Sequence, residues 1–113
     1  MTAFRIFLLL CLGAILAYTS VTISHHGLNL LPVFFGDMAK MGWPGQFNLD
    51  FMCFLALSAL WVSWRHDFSA AGLALGVVAF FGGMLFLSAY LLVQSTRCGG
   101  DVRTLLLGTR RAA

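Results

Sequence analysis

Residues 68–96 read FSAAGLALGVVAFFGGMLFLSAYLLVQST, 29 residues without one Asp, Glu, Lys, Arg or His. An apolar run of this length identifies a transmembrane helix, because about 20 residues rising about 1.5 Å each cross a hydrocarbon core about 30 Å thick. Both ends carry helix punctuation. Ser69 or Asp67 can cap the start, Arg97 sits in the last turn, and Gly99-Gly100 follow where a helix commonly stops. One face reads Gly72, Gly76, Ala79 and Gly83, then Tyr90. Small residues at that spacing let another helix backbone come close. Glycine in a helix is about 1 kcal/mol worse than alanine, so glycines at 72, 76, 82 and 83 ask for a neighbour. Gly72, Gly76, Ala79 and Gly83 are expected to face protein and not lipid.

The remaining composition points the same way. The 113 residues are 60% hydrophobic and 10% charged, with a mean hydropathy of +0.91. A water-soluble domain of this size needs a more polar surface. The expected fold is an all-α membrane protein, one integral membrane domain over residues 1–113. The net charge of +3 rests on seven basic residues. Four of them, Arg97, Arg103, Arg110 and Arg111, follow the last apolar run, a pattern for a tail that meets lipid. No basic face on a soluble module is in view, which argues against nucleic acid. Cys11, Cys53 and Cys98 are odd in number, form no Cys-x-x-Cys and lie partly in apolar runs, which argues against a disulfide framework or a zinc site.

Upstream, Ile6 to Ser24 carries no charge and follows Arg5. It reads as a retained first span over a cleavable signal peptide, because Ala17-Tyr18-Thr19-Ser20 is a poor cleavage site and the apolar run continues to Ile23. His25 to Gly45 is a long, partly apolar connection, too short to span and suited to an interfacial or re-entrant segment. A middle span covers about residues 46–64, or 43–64 if the two tryptophans at its ends sit in opposite aromatic belts. The three spans are thus expected at about 5–24, 46–64 and 69–96, with a basic tail over 97–113. Trp43, Trp61 and Trp64 are expected as interface anchors.

Three crossings put the two ends on opposite sides. Arg5 and Arg65 then oppose Lys40 and the four tail arginines. The basic excess marks the cytoplasm, so the expectation is N-terminus out and C-terminus cytoplasmic.

The candidate polar site is Asp50, with His25, His26 and Asp37. An ionisable residue inside a span costs roughly 2.5–3.5 kcal/mol at the bilayer centre and marks function by default. Near a helix N-terminus a carboxylate is also tolerated for its charge alone. His25 and His26 point about 100° apart on a helix, so one ion cannot easily take both. The three-span topology puts all four residues on one side of the membrane. No phosphate loop, Ser-His-Asp order or Gly-x-Ser-x-Gly occurs, and no residue pattern nominates a catalytic group, metal or cofactor.

The arrangement Gly45-Gln46-Phe47-Asn48-Leu49-Asp50, then Trp64-Arg65-His66, then Gly82-Gly83 and Tyr90 resembles small bacterial three-span membrane proteins without assigned activity. The resemblance covers roughly residues 25–107 and implies a bacterial inner-membrane location. A fainter likeness is to the membrane-anchor subunits of succinate dehydrogenase, but span two lacks their haem-ligating histidine. The function expected is a non-enzymatic helical assembly partner or accessory subunit, with membrane lipids and other membrane subunits or its own copies as partners. The alternative is a small oligomeric transporter or ligand-binding module using Asp50.

Overall fold

The structure, a computed structural model, describes residues 1–113 and is all-helical. Helix α1 spans Thr2–His26, α2 Leu30–Ala39, α3 Trp43–Arg65, α4 Ala70–Arg97, α5 Val102–Leu107 and α6 Thr109–Ala112. Three of them, α1, α3 and α4, are long and apolar enough to cross a membrane. Only 14 of 113 residues are buried, so most of the apolar side chains must be covered by something other than this chain.

The helix starts follow from local chemistry. Pro44 stands in the first turn of α3, where a missing N–H costs nothing and its fixed φ suits a helix. The Pro44-Gly45 pair therefore opens α3 and does not belong to the preceding turn. Ser69 caps α4, accepting from the Gly72 N–H at 3.1 Å. The connection expected as an interfacial or re-entrant loop contains α2, which lies against the start of α3. Gly45 makes that approach possible, since a Cβ there would stand 2.7 Å from the Met38 Cα. Asn48 fastens the pair by donating to the Phe34 carbonyl at 3.0 Å.

Helix α4 is not one rod. Gly83 has φ 56° and ψ −140° inside it, a combination open in practice to glycine alone. Gly82 beside it has no room either, because a Cβ would come within 2.7 Å of the Phe86 Cβ. The consequence is a reversal. In a straight helix Gly72 and Tyr90 would lie about 27 Å apart. Yet His66 touches both: its Cβ lies 2.7 Å from the Cβ position of Gly72, and its Nε2 lies 2.7 Å from the Tyr90 hydroxyl. The first arm, 70–82, runs antiparallel to α3, and the second arm, 84–97, returns towards the end of α3. Val62 of α3, Ala79 of the first arm and Tyr90 of the second form the buried core.

Small residues set the depth of the first arm. Gly72 and Gly76 are buried against Ser63, and Gly76 also faces the Ala59 carbonyl, leaving no space for side chains. Gly83 meets Phe51 and Leu55, but its larger part is to turn the chain.

The reversal overturns the expectation that the two ends lie apart. Arg5 donates from Nε to the Ser95 hydroxyl (3.1 Å) and from Nη2 to the Ser95 carbonyl (3.0 Å). The Met1 side chain lies 3.4 Å from the Cβ position of Gly100. The N-terminus, the 65–67 turn and the tail therefore share one end of the molecule.

Substituting Gly83 tests the hinge. Gly83→Ala should destabilise by about 1–3 kcal/mol, the cost of a side chain in such a backbone region. Gly13→Ala, in a helix with open space around it, should be neutral or mildly stabilising. Thermal unfolding in detergent compares the two, and equal midpoints would remove the hinge.

Candidate functional site

At the shared end, the polar centre is built on Arg65. It is the last residue of α3 and only 6% exposed. Its guanidinium faces no carboxylate. Nε donates to the Leu105 carbonyl at 2.7 Å and Nη2 to the Thr104 carbonyl at 3.3 Å. Nη1 donates to the Tyr90 hydroxyl at 3.2 Å, and the Cys98 sulfur lies 3.7 Å from Nη2. The Trp61 indole N–H adds a bond to the Leu106 carbonyl at 3.1 Å. Carbonyls 104–106 lie in the last turn of α5, at the negative end of the helix dipole; the Thr104 carbonyl also accepts from the Gly108 N–H at 2.9 Å, and the last carbonyls of a helix look to donors outside it. Arg65 and Trp61 thus form a side-chain cap that binds the tail to α3. Gly108 completes it, since a Cβ there would collide with the Arg65 carbonyl.

Tyr90 joins this cap to the turn. Its oxygen accepts from Arg65, so its own proton is directed at His66 Nε2, 2.7 Å away. His66 is then neutral, with its hydrogen on Nδ1. Burial holds the His66 pKa below its ordinary value, the adjacent Arg65 charge lowers it further, and Asp67 opposes both. Asp67 in turn pairs with Arg111 at 3.1 Å and Arg110 at 3.6 Å. Arg111 also lies over the Trp64 ring, 4.1 Å from its centroid, a favourable cation–π geometry. The turn needs these ties, because Asp67 and Phe68 both have positive φ. In the tail at this end, Asp101 is held below the usual carboxylate range, first by its hydrogen bond from Thr104.

Next to the cap lies an open apolar cleft of about 780 Å³. Phe51, Leu55 and Trp61 of α3 face Leu87 and Leu91 of the second arm, with Leu105 and Leu106 at one end. Gly83 lines it. The Ser58 hydroxyl, on its α3 wall, is buried without a partner.

The sequence-based polar candidates lie elsewhere. His25, His26 and Asp50 are exposed and Asp37 is half-buried. No hydrogen bond or ion pair links them, both ion pairs of the molecule falling on Asp67. No group of three His, Cys, Asp or Glu converges to hold a metal. Trp43 is exposed at the start of α3, while Trp61 and Trp64 carry the tail contacts. In the sequence Arg65, His66 and Asp67 simply separate the middle and last apolar runs, and no spacing marks them as a site. Their place in a buried centre follows from the Gly83 reversal, which brings Tyr90 and the tail to them. No known protein family, characterised protein or solved structure matches the chain.

Arg65→Met should release the tail. Losing a charged hydrogen-bonding group that satisfies buried carbonyls costs about 2–3 kcal/mol, so limited trypsin cleavage at Arg103 should accelerate more than about tenfold, since cleavage follows the open population. Arg97→Gln, at an exposed position without a side-chain partner, should leave the rate unchanged. Equal rates in Arg65→Met and the parent would contradict the cap.

The His66 shift gives a pH dependence. Its folded pKa lies below the unfolded value of about 6.5, so its contribution is complete above pH 6.5. As pH falls below 6.5 the unfolded chain takes the proton first, and the contribution is lost towards the folded pKa. The thermal midpoint in detergent should drop from pH 7.5 to 5.5, and His66→Gln should flatten that drop. A slope unaltered in His66→Gln would refute the assignment.

Proposed function

We propose that the chain is a multi-pass protein of the bacterial inner membrane that acts, without catalysis, as a helical assembly partner or accessory subunit of a membrane complex. Asp50 carries the reading. It lies about 10 Å along α3 from Trp43, exposed and without a partner in its own chain. Ionisable residues at membrane depth almost always face protein or a water-filled cavity. A single copy surrounded by lipid would leave this carboxylate in hydrocarbon. A second chain, of the same or another protein, supplies what is missing. The outer part of α1 is also free to receive it, being exposed from Gly13 to His26 except at Thr19. The location rests on the resemblance to small bacterial three-span proteins.

The alternative from another class is a small oligomeric transporter or ligand-binding module in which the Asp50 carboxylate faces a polar passage. Mild-detergent purification tests the first reading. It predicts a particle larger than the 12.3 kDa chain, lost in Asp50→Leu and kept in Asp50→Asn, whose amide can still hydrogen-bond. A strictly monomeric parent with no co-purifying protein would sink it. Asp50→Asn that assembles but loses ligand flux would favour the alternative.

Both ends are proposed to be cytoplasmic. The reversal gathers Arg5, Arg65, Arg97, Arg103, Arg110 and Arg111 at one end and leaves Lys40 as the sole basic residue at the other, besides the two histidines. That asymmetry is a strong positive-inside signal. A reporter active only outside the cytoplasm should stay silent when fused after Ala113; activity there would reverse the orientation.

A further inference from the structure

The apolar cleft adjoins the arginine end. Leu105 and Leu106 of its lining lie between Arg103 and Arg110, and Phe4 precedes Arg5. Its α3 wall from Phe51 to Trp61 is about 15 Å long, half of a hydrocarbon core about 30 Å thick. The cleft is therefore one leaflet deep, with its charges at the headgroup end. Polar groups give water little to hold, because the Trp61 N–H is taken by Leu106 and only the Ser58 hydroxyl is free.

The almost wholly apolar lining suits a hydrocarbon chain, which is narrow and needs no hydrogen bonds. At the same end of the molecule, Arg97 and Arg103 are exposed and form no side-chain hydrogen bond or ion pair, unlike Arg5, Arg65, Arg110 and Arg111, and Asp101 is the carboxylate that lies near Arg103.

We propose that this cleft holds one acyl chain of an anionic phospholipid from the leaflet on the arginine side, with its phosphate met by Arg97 and Arg103. The site is independent of the Asp50 surface. It accounts for an apolar slot that reaches the only strongly basic end of the chain. Two arginines near an anionic headgroup are expected to favour it over a zwitterionic one by at least about tenfold.

Trp61 lines the cleft and reports on it. The full-length chain with Trp43→Phe and Trp64→Phe, reconstituted in vesicles, is titrated with phosphatidylglycerol or phosphatidylcholine brominated on the acyl chain. Phosphatidylglycerol should quench Trp61 at no more than about one-tenth the mole fraction that phosphatidylcholine needs. Arg97→Gln with Arg103→Gln should erase that difference. Ser58→Phe, which fills the cleft, should remove the tight component. Equal quenching by the two lipids would overturn the proposal, as would absence of quenching, which would mean that protein covers the cleft. Tight quenching unchanged in Ser58→Phe would place the lipid elsewhere and overturn it too. The comparison of the two lipids needs neither cleft nor arginine variant, so a misfolded variant does not protect the proposal.

Discussion

A backbone turned at Gly83 to φ 56° and ψ −140° determines where nearly every polar residue of this chain ends up. With α4 straight, Tyr90 and the tail would be carried away from the 65–67 turn by the full length of the helix. With α4 folded, both arrive beside Arg65. The energetic logic is circular in a useful sense. The hinge is strained for any residue but glycine, and it is held by what it brings together: the Val62–Ala79–Tyr90 core, the Arg5–Ser95 bonds and the Arg65 cap on α5.

Arg65 itself shows how a buried charge is kept without a counterion. A guanidinium has five donors in a planar fork and is always charged. Carbonyl dipoles at the end of α5, a phenol and a thiol sulfur take four contacts here. A carboxylate would neutralise the charge but would not fasten the tail. The nearby Asp67 is engaged from outside by Arg110 and Arg111, so the tail is held at two points, in α5 and in α6. Two of the chain's three tryptophans, Trp61 and Trp64, serve the same docking.

The helices themselves were legible in the sequence, because uncharged runs of helical length leave few alternatives. The Ser69 cap, Arg97 in the last turn and Gly99-Gly100 beyond it are local signals and stand where expected. What local reading could not supply was the third dimension of α4. Gly72, Gly76 and Gly83 look alike as letters, yet the first two fit against α3 and the third reverses the chain. The adjacent pair Gly82-Gly83 was the available clue, since two neighbouring glycines weaken a helix at one point more than spaced ones do. The nearness of the two chain ends was missed with it, because the reading took each long apolar helix as one straight rod. Arg65 was passed over for the same reason: its partners lie 25 to 40 residues away, beyond any motif spacing.

The reversal is tested most directly by a distance across α4. Spin labels at Ala71 and Val93, both exposed, in a chain whose three cysteines are replaced by serine, report their separation in lipid vesicles by pulsed electron resonance. A straight helix holds these positions about 33 Å apart. A chain turned at Gly83 gives a separation clearly shorter than that, because both arms lie beside the end of α3. A single narrow distribution near 33 Å would contradict the fold-back and, with it, the shared end and the arginine-side cleft.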